Sequence, residues 1–156
     1  YLGGDSLQPF LSRAEKGVFV LCRTSNAGGA DLQDRELADG RTVYERVADL
    51  AAGWNEHGNV GLVVGATAPA ELETLRERVP DLPFLVPGVG AQGGDAEAAA
   101  TAGLAAGVGL VNSSRGIIFA GEDHEEWERA AGTAARRLRD RLNEYRTARE
   151  NAEMGG

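Results

Sequence analysis

Four short apolar runs, at 17–22, 60–67, 83–88 and 107–113, constrain the fold more than any other feature of this sequence. Each is rich in Val, Leu or Phe and ends in small or polar residues, without the polar alternation of a half-exposed antiparallel strand. Runs this short and this uniformly apolar read as strands of a parallel sheet covered on both faces. Helical patterns separate them. Across 41–57, Val43, Val47, Leu50, Ala51 and Trp54 fall at offsets of four, seven, eight and eleven, and Gly58 supplies a stop. Segment 70–79 places Leu72, Leu75 and Val79 on one side, between Pro69 and Pro80. Segment 95–106 is alanine-rich, with Asp95 placed as its N-cap. From 123 onward, Trp127, Ala131, Ala134, Leu138, Leu142 and Tyr145 recur at three- and four-residue steps, which predicts a long terminal helix that frays at 151–156.

A helix followed by four strand-helix units is an α/β pattern, with a parallel sheet and right-handed crossovers. Two architectures satisfy it. A doubly wound open sheet needs only four or five strands, whereas a closed (β/α)8 barrel typically takes about 250 residues. The chain has 156 residues, so length alone favours the open sheet. It opens on Tyr1-Leu2-Gly3-Gly4 with no initiator Met, as if entered in mid-fold, and for a fragment four strand-helix units are half a barrel. No internal repeat or linker marks a boundary, so 1–156 is expected to form one domain. Half a barrel alone leaves two sheet edges and an open core, which predicts self-association in isolation.

Composition narrows the function. With 24 acidic and 16 basic residues the formal charge is −8, which disfavours nucleic acid and anionic membranes but leaves a small anion possible. A single cysteine, Cys22, excludes an internal disulfide and a multi-cysteine metal site, and fits a reducing compartment. No apolar run approaches the ~20 residues of a membrane span, and no secretory leader opens the sequence. A soluble cytoplasmic protein is expected. The two histidines, His57 and His124, are remote in sequence and form no metal constellation. His57 is expected to interact with the C-terminus of the preceding helix, and His124 to be solvated. Cys22, Trp54 and Trp127 are expected to pack.

In a parallel α/β fold, ligands sit at the carboxyl ends of the strands. Here those tips read Arg23-Thr24-Ser25-Asn26, Gly65-Ala66-Thr67, Pro87-Gly88-Val89-Gly90-Ala91-Gln92-Gly93-Gly94-Asp95 and Asn112-Ser113-Ser114-Arg115-Gly116. They are rich in uncharged hydrogen-bonding groups. The third contains G-x-G-x-x-G at Gly88, Gly90 and Gly93, a pattern that lets backbone approach a pyrophosphate. The acidic residue a dinucleotide site wants about 20 positions on is missing, since Val111-Asn112-Ser113 stands there. A Gly-rich connection with no ligand is the plainer alternative. The fourth tip favours a phosphate, because backbone N–H groups and the Arg115 guanidinium can converge after a strand, as the last two loops of (β/α)8 barrels do. Taken alone, Arg115 also fits a surface ion pair.

Together Thr24-Ser25-Asn26, Val64-Gly65-Ala66-Thr67, the string from Leu85 to Asp95 and Asn112-Ser113-Ser114-Arg115-Gly116-Ile117 resemble orotidine 5'-phosphate decarboxylases of the longer bacterial and archaeal kind. The resemblance implies the C-terminal half of a (β/α)8 barrel, strands five to eight, in a homodimer. It also implies decarboxylation of orotidine 5'-monophosphate to UMP without metal or organic cofactor. Carried over by position, Ser25 would bind the pyrimidine edge and Gln92 would bridge base and phosphate. Ser114 and Arg115 would grip the phosphate, and Pro87 with Gly88 would wall the base. The family's catalytic Lys and Asp-x-Lys-x-x-Asp array has no counterpart in this sequence, whose one lysine is Lys16. By this resemblance the chain carries no catalytic residue and supplies the binding half of the site. A different phosphosugar- or dinucleotide-binding module is the alternative.

Overall fold

The computed structural model describes residues 3–67, 69–90, 95–105, 109–121 and 126–154. Four strands, β1 (Val18–Arg23), β2 (Val60–Val64), β3 (Phe84–Pro87) and β4 (Gly109–Asn112), pair in sequence order and all in parallel. Helices α1 (Gly4–Leu11), α2 (Val43–Gly53), α3 (Pro69–Arg78), α4 (Ala96–Ala98), α5 (Ser114–Ile118) and α6 (Trp127–Met154) precede, connect and follow them.

Strand order settles which architecture is present. A doubly wound sheet reverses direction at a switch point and carries helices on both faces. Here the order β1-β2-β3-β4 never reverses, so right-handed crossovers put every connecting helix on the same side. That is half of a (β/α)8 barrel. The face under the helices carries Val60, Leu62, Val64, Phe84 and Val86, which join the helices' Ala48, Ala51, Leu72 and Leu75 in one core. The other face is bare. Phe19 is 37% exposed, Leu21 49% and Leu110 57%, so the expectation of strands covered on both faces holds on the helix side only. In a closed barrel such residues fill the interior against strands on the far wall.

Local chemistry explains the element ends. Thr42 and Glu45 form a capping box that starts α2: the Thr42 N–H donates to Glu45 Oε2 at 2.7 Å and the Thr42 hydroxyl accepts from the Glu45 N–H at 3.4 Å. The helix ends at Gly53 with Trp54 as its C-cap. His57 is therefore four residues past the helix and exposed, and it does not cap it as expected. Asn55 takes over there, its Oδ1 accepting from the Val60 N–H at 2.8 Å where β2 begins.

Asp95 is the predicted N-cap, accepting from the backbone of Glu97 and Ala98. The alanine-rich segment that follows is not a plain α-helix, because α4 widens into a π-helical turn at Ala99–Gly103. Arg76 of α3 anchors that turn from below. Its buried guanidinium donates to the carbonyls of Ala102, Pro80, Leu82 and Gly103, at 2.8 to 3.2 Å, and lies 3.8 Å from the centre of the Phe84 ring. Helix α6 is long, as predicted, and stays helical through Met154 where fraying was expected. Leu138, Leu142 and Tyr145 pack against the core, but Trp127 is 57% exposed and does not. It stands at the first residue of α6, ahead of the turns that carry those three packing residues.

Candidate functional site

The carboxyl ends of the four strands meet at one edge of the sheet, and the residues beyond them divide into two groups. The first group surrounds Ser25, two residues after β1. Ser25 is half-buried, and its carbonyl accepts from the Thr67 hydroxyl beyond β2 at 2.9 Å. The approach of these two tips depends on Gly65, since a Cβ there would fall 2.5 Å from Ser25 Oγ.

A bulge in β1 supports this end. Leu21 pairs with Val63 but Arg23 pairs with Val64, so one extra residue enters the strand. Without it, alternation would put Arg23 beside Phe19 and Leu21 on the bare face. The bulge instead buries it, at 8% exposure, level with Val64. The Arg23 guanidinium straddles the Asp34 carboxylate at 3.1 and 3.2 Å, and donates to the Thr24 carbonyl at 2.9 Å and to Gln33 Oε1 at 3.3 Å. Glu71 lies 3.7 Å from it. Sequence reading missed this cluster, because nothing in the one-dimensional pattern marks a bulge. Cys22 just before it is fully buried, and burial pushes its thiol up to about 12, as suits a packing residue rather than a nucleophile.

The second group gathers at β3 and β4. Pro87 pairs with Asn112 at the last rung of the ladder, after which Gly88 and Gly90 adopt φ of +91° and +85°. Those angles are open to glycine and strained for most other residues. Ser113, 7% exposed, donates its hydroxyl to the Val89 carbonyl at 2.6 Å and so ties the two tips together. Pro87, Gly88, Val89, Ser114 and Arg115 then line a cleft of about 130 Å³. Arg115 is exposed on the first turn of α5, and among the described residues no carboxylate lies within ion-pair distance of it. Among the described residues, the surface ion pair that a strand-end arginine often makes is not formed there.

Of the residues singled out in the sequence, Pro87, Gly88, Ser114 and Arg115 come together in one cleft, and Ser25 lies at the same edge of the sheet beyond β1. Gln92 falls outside the described residues, as does His124, so the convergence of the Gln92 amide with Arg115 is not among the geometry described. Lys16 precedes β1 and is exposed at the opposite end of the sheet. Ser113, Thr67 and Gln33 are residues at this edge that sequence reading passed over. The first two lay inside the quoted motifs without a role, and Gln33 carried no signal. Among the described residues, no group of three His, Cys, Asp or Glu is arranged to hold a metal, and no helix is long and apolar enough to cross a membrane.

Comparison with known proteins gives this geometry a context. Orotidine 5'-phosphate decarboxylase of Halorubrum lacusprofundi is 68% identical over 94% of the chain, which spans 57% of that protein. The enzyme of the same name from Bordetella pertussis is 54% identical, again over 94% of the chain and 55% of the relative. The chain thus spans about half the length of the curated relatives it matches. Among solved structures, Leishmania donovani UMP synthase superposes with a TM-score of 0.81 at 48% identity, over 94% of this chain and 32% of that one. Leishmania donovani OMP decarboxylase superposes with a TM-score of 0.74 at 44% identity, over 91% of this chain and 54% of its own. A family model covers residues 1–130, and with these relatives it shows that the chain belongs to the orotidine 5'-phosphate decarboxylase / HUMPS family.

Proposed function

We propose that this chain supplies the phosphate- and pyrimidine-binding part of an enzyme that decarboxylates orotidine 5'-monophosphate to UMP. The observation that carries the reading is Arg115, a guanidinium without a carboxylate partner among the described residues, beside a cleft built from the Gly-rich tip of β3 and the Ser113-Ser114 tip of β4. Such a group suits a phosphate dianion, which it can meet in bidentate fashion. In this reading Ser25 meets the pyrimidine edge, Gln92 bridges base and phosphate, and Pro87 walls the base. No organic cofactor or metal takes part.

The division of labour has a physical logic. Remote phosphate binding supplies energy that holds the base against charged catalytic groups, so stabilisation appears at the reacting carbon rather than in uniform substrate affinity. Those charged groups are not in this sequence, which has no Asp-x-Lys-x-x-Asp motif. The same reading makes the protein a cytoplasmic homodimer acting in pyrimidine biosynthesis.

Thermal-shift titration of the full-length protein with UMP, ribose 5-phosphate and NAD tests the assignment. UMP is expected to stabilise most and ribose 5-phosphate less. An equal or larger response to NAD would favour a dinucleotide module and overturn the proposal.

A further inference from the structure

Gln33 takes no part in the function proposed above, yet it is 8% exposed and sits directly behind the tip that carries Ser25. Its Oε1 receives three donors: the Thr24 N–H at 2.9 Å, the Thr24 hydroxyl at 3.1 Å and Arg23 Nη1 at 3.3 Å. Its Nε2 donates back to Thr24 Oγ1 at 3.0 Å. The Thr24 N–H can only donate, so the oxygen of the amide must face it, and the orientation of the side chain follows. Gln33 is itself anchored through its backbone. Its N–H donates to the Gly29 carbonyl at 2.8 Å, and its carbonyl accepts from the Tyr44 N–H in the first turn of α2 at 3.0 Å.

We propose that Gln33 is a positioning residue for the base-binding end of the site, holding Thr24 so that the next peptide presents Ser25 to the pyrimidine. The inference rests on the function proposed above. Two clamps act on the Ser25 segment: Gln33 fixes the residue before it, and the Thr67 hydroxyl fixes its carbonyl. The cluster also sets the charge of this end. Arg23 directs Nη1 to Thr24 and Gln33 and Nη2 to Asp34, with Glu71 close by, so this guanidinium is turned inward and paired. The cation at the base end is therefore paired, and Arg115, with no carboxylate partner among the described residues, stands at the phosphate end. A substrate with a dianion at one end and a hydrogen-bonding ring at the other then has one favoured orientation.

Binding of UMP and of ribose 5-phosphate to the full-length protein, by calorimetry, separates positioning from general support. Gln33→Leu removes the acceptor, and UMP is expected to bind about tenfold more weakly while ribose 5-phosphate changes less than about twofold. Thr24→Val removes only the hydroxyl partner and is expected to cost about threefold on UMP alone. In a double-mutant cycle, Gln33→Leu and Ser25→Ala are expected to be strongly non-additive, since both act through one contact. Additive losses, or equal weakening of both ligands, would overturn the positioning role. If Gln33→Leu does not fold, Thr24→Val decides by the same criteria, and Gln33→Glu, which keeps an acceptor for the Thr24 N–H, is expected to hold UMP within about threefold of wild type. A wild-type protein with no preference for UMP over ribose 5-phosphate would instead remove the functional assignment itself, and this inference with it.

Discussion

The two ends of the strand-tip edge are built on opposite plans. Beyond β1 and β2, side chains hold the backbone: buried Gln33 grips Thr24, the hydroxyl of exposed Thr67 grips Ser25, and buried Arg23 is enclosed by Asp34 and Glu71. Beyond β3 and β4, the backbone is glycine-rich with positive φ, one buried hydroxyl joins the tips, and the guanidinium faces outward. The contrast teaches how one edge can treat two parts of a ligand differently. Directional contacts to a ring need fixed donors and acceptors, so rigidity is placed behind them. A phosphate is met by charge and backbone N–H groups, which need close access more than a single rotamer.

The largest test of this contrast is Arg115→Ala in the full-length protein. It removes the guanidinium that lines the cleft and is expected to weaken UMP by roughly 2–4 kcal/mol, about 30- to 1,000-fold in Kd. Unchanged affinity would mean that the cleft does not hold the phosphate. Next is Ser113→Ala, which leaves the Val89 carbonyl without its 2.6 Å donor and lets the two tips drift apart. Its cost, about tenfold, should fall equally on UMP and ribose 5-phosphate, because only the β3–β4 end is loosened. A loss confined to UMP would erase the distinction between the ends. Thr67→Val should act in the opposite sense, weakening UMP by about threefold and sparing ribose 5-phosphate.

The smallest effect serves as a control far from both ends. Asp49 on α2 accepts from Arg41 at 2.6 Å and from Arg78 of α3 at 2.6 and 2.9 Å, and these guanidinium bonds hold its carboxyl below the usual range. Because its pKa is lowered in the folded state, the unfolded chain binds more protons as pH drops. The pair's contribution is therefore full above about pH 4, the ordinary aspartate value, and fades as pH falls through the lower folded value. Asp49→Asn should cost about 1 kcal/mol or less at pH 7, with ligand affinity unchanged. In chemical denaturation, its deficit against wild type should shrink below about pH 4. A deficit that persists at low pH would show that packing, not charge, sets the effect.

Much of this was legible in the residues because strands, helices and tips are written in local chemistry. The four apolar runs became four parallel strands within a few residues of their expected limits, and Asp95 caps the helix that its position implied. The failures have physical causes. His57 lost its expected role because α2 stops at Gly53, where the chain turns towards β2. Trp127 fits the helical period, yet period gives only the face of a helix and not how far along it the partner surface extends. Arg76 and Arg23 are buried, which composition would not suggest, and each is matched there by partners distant in sequence.

By itself the sequence determined the strand-helix alternation, the polar and glycine-rich tips, the absence of a catalytic lysine array and the family resemblance. All of these follow from residue type and short spacing. Only the tertiary structure decided that the sheet winds in one direction with a bare apolar face, that a bulge turns Arg23 inward, and that Gln33 stands behind Ser25. Each of those depends on pairing register and on contacts between segments far apart in the chain, where a one-residue shift reverses which face a side chain occupies.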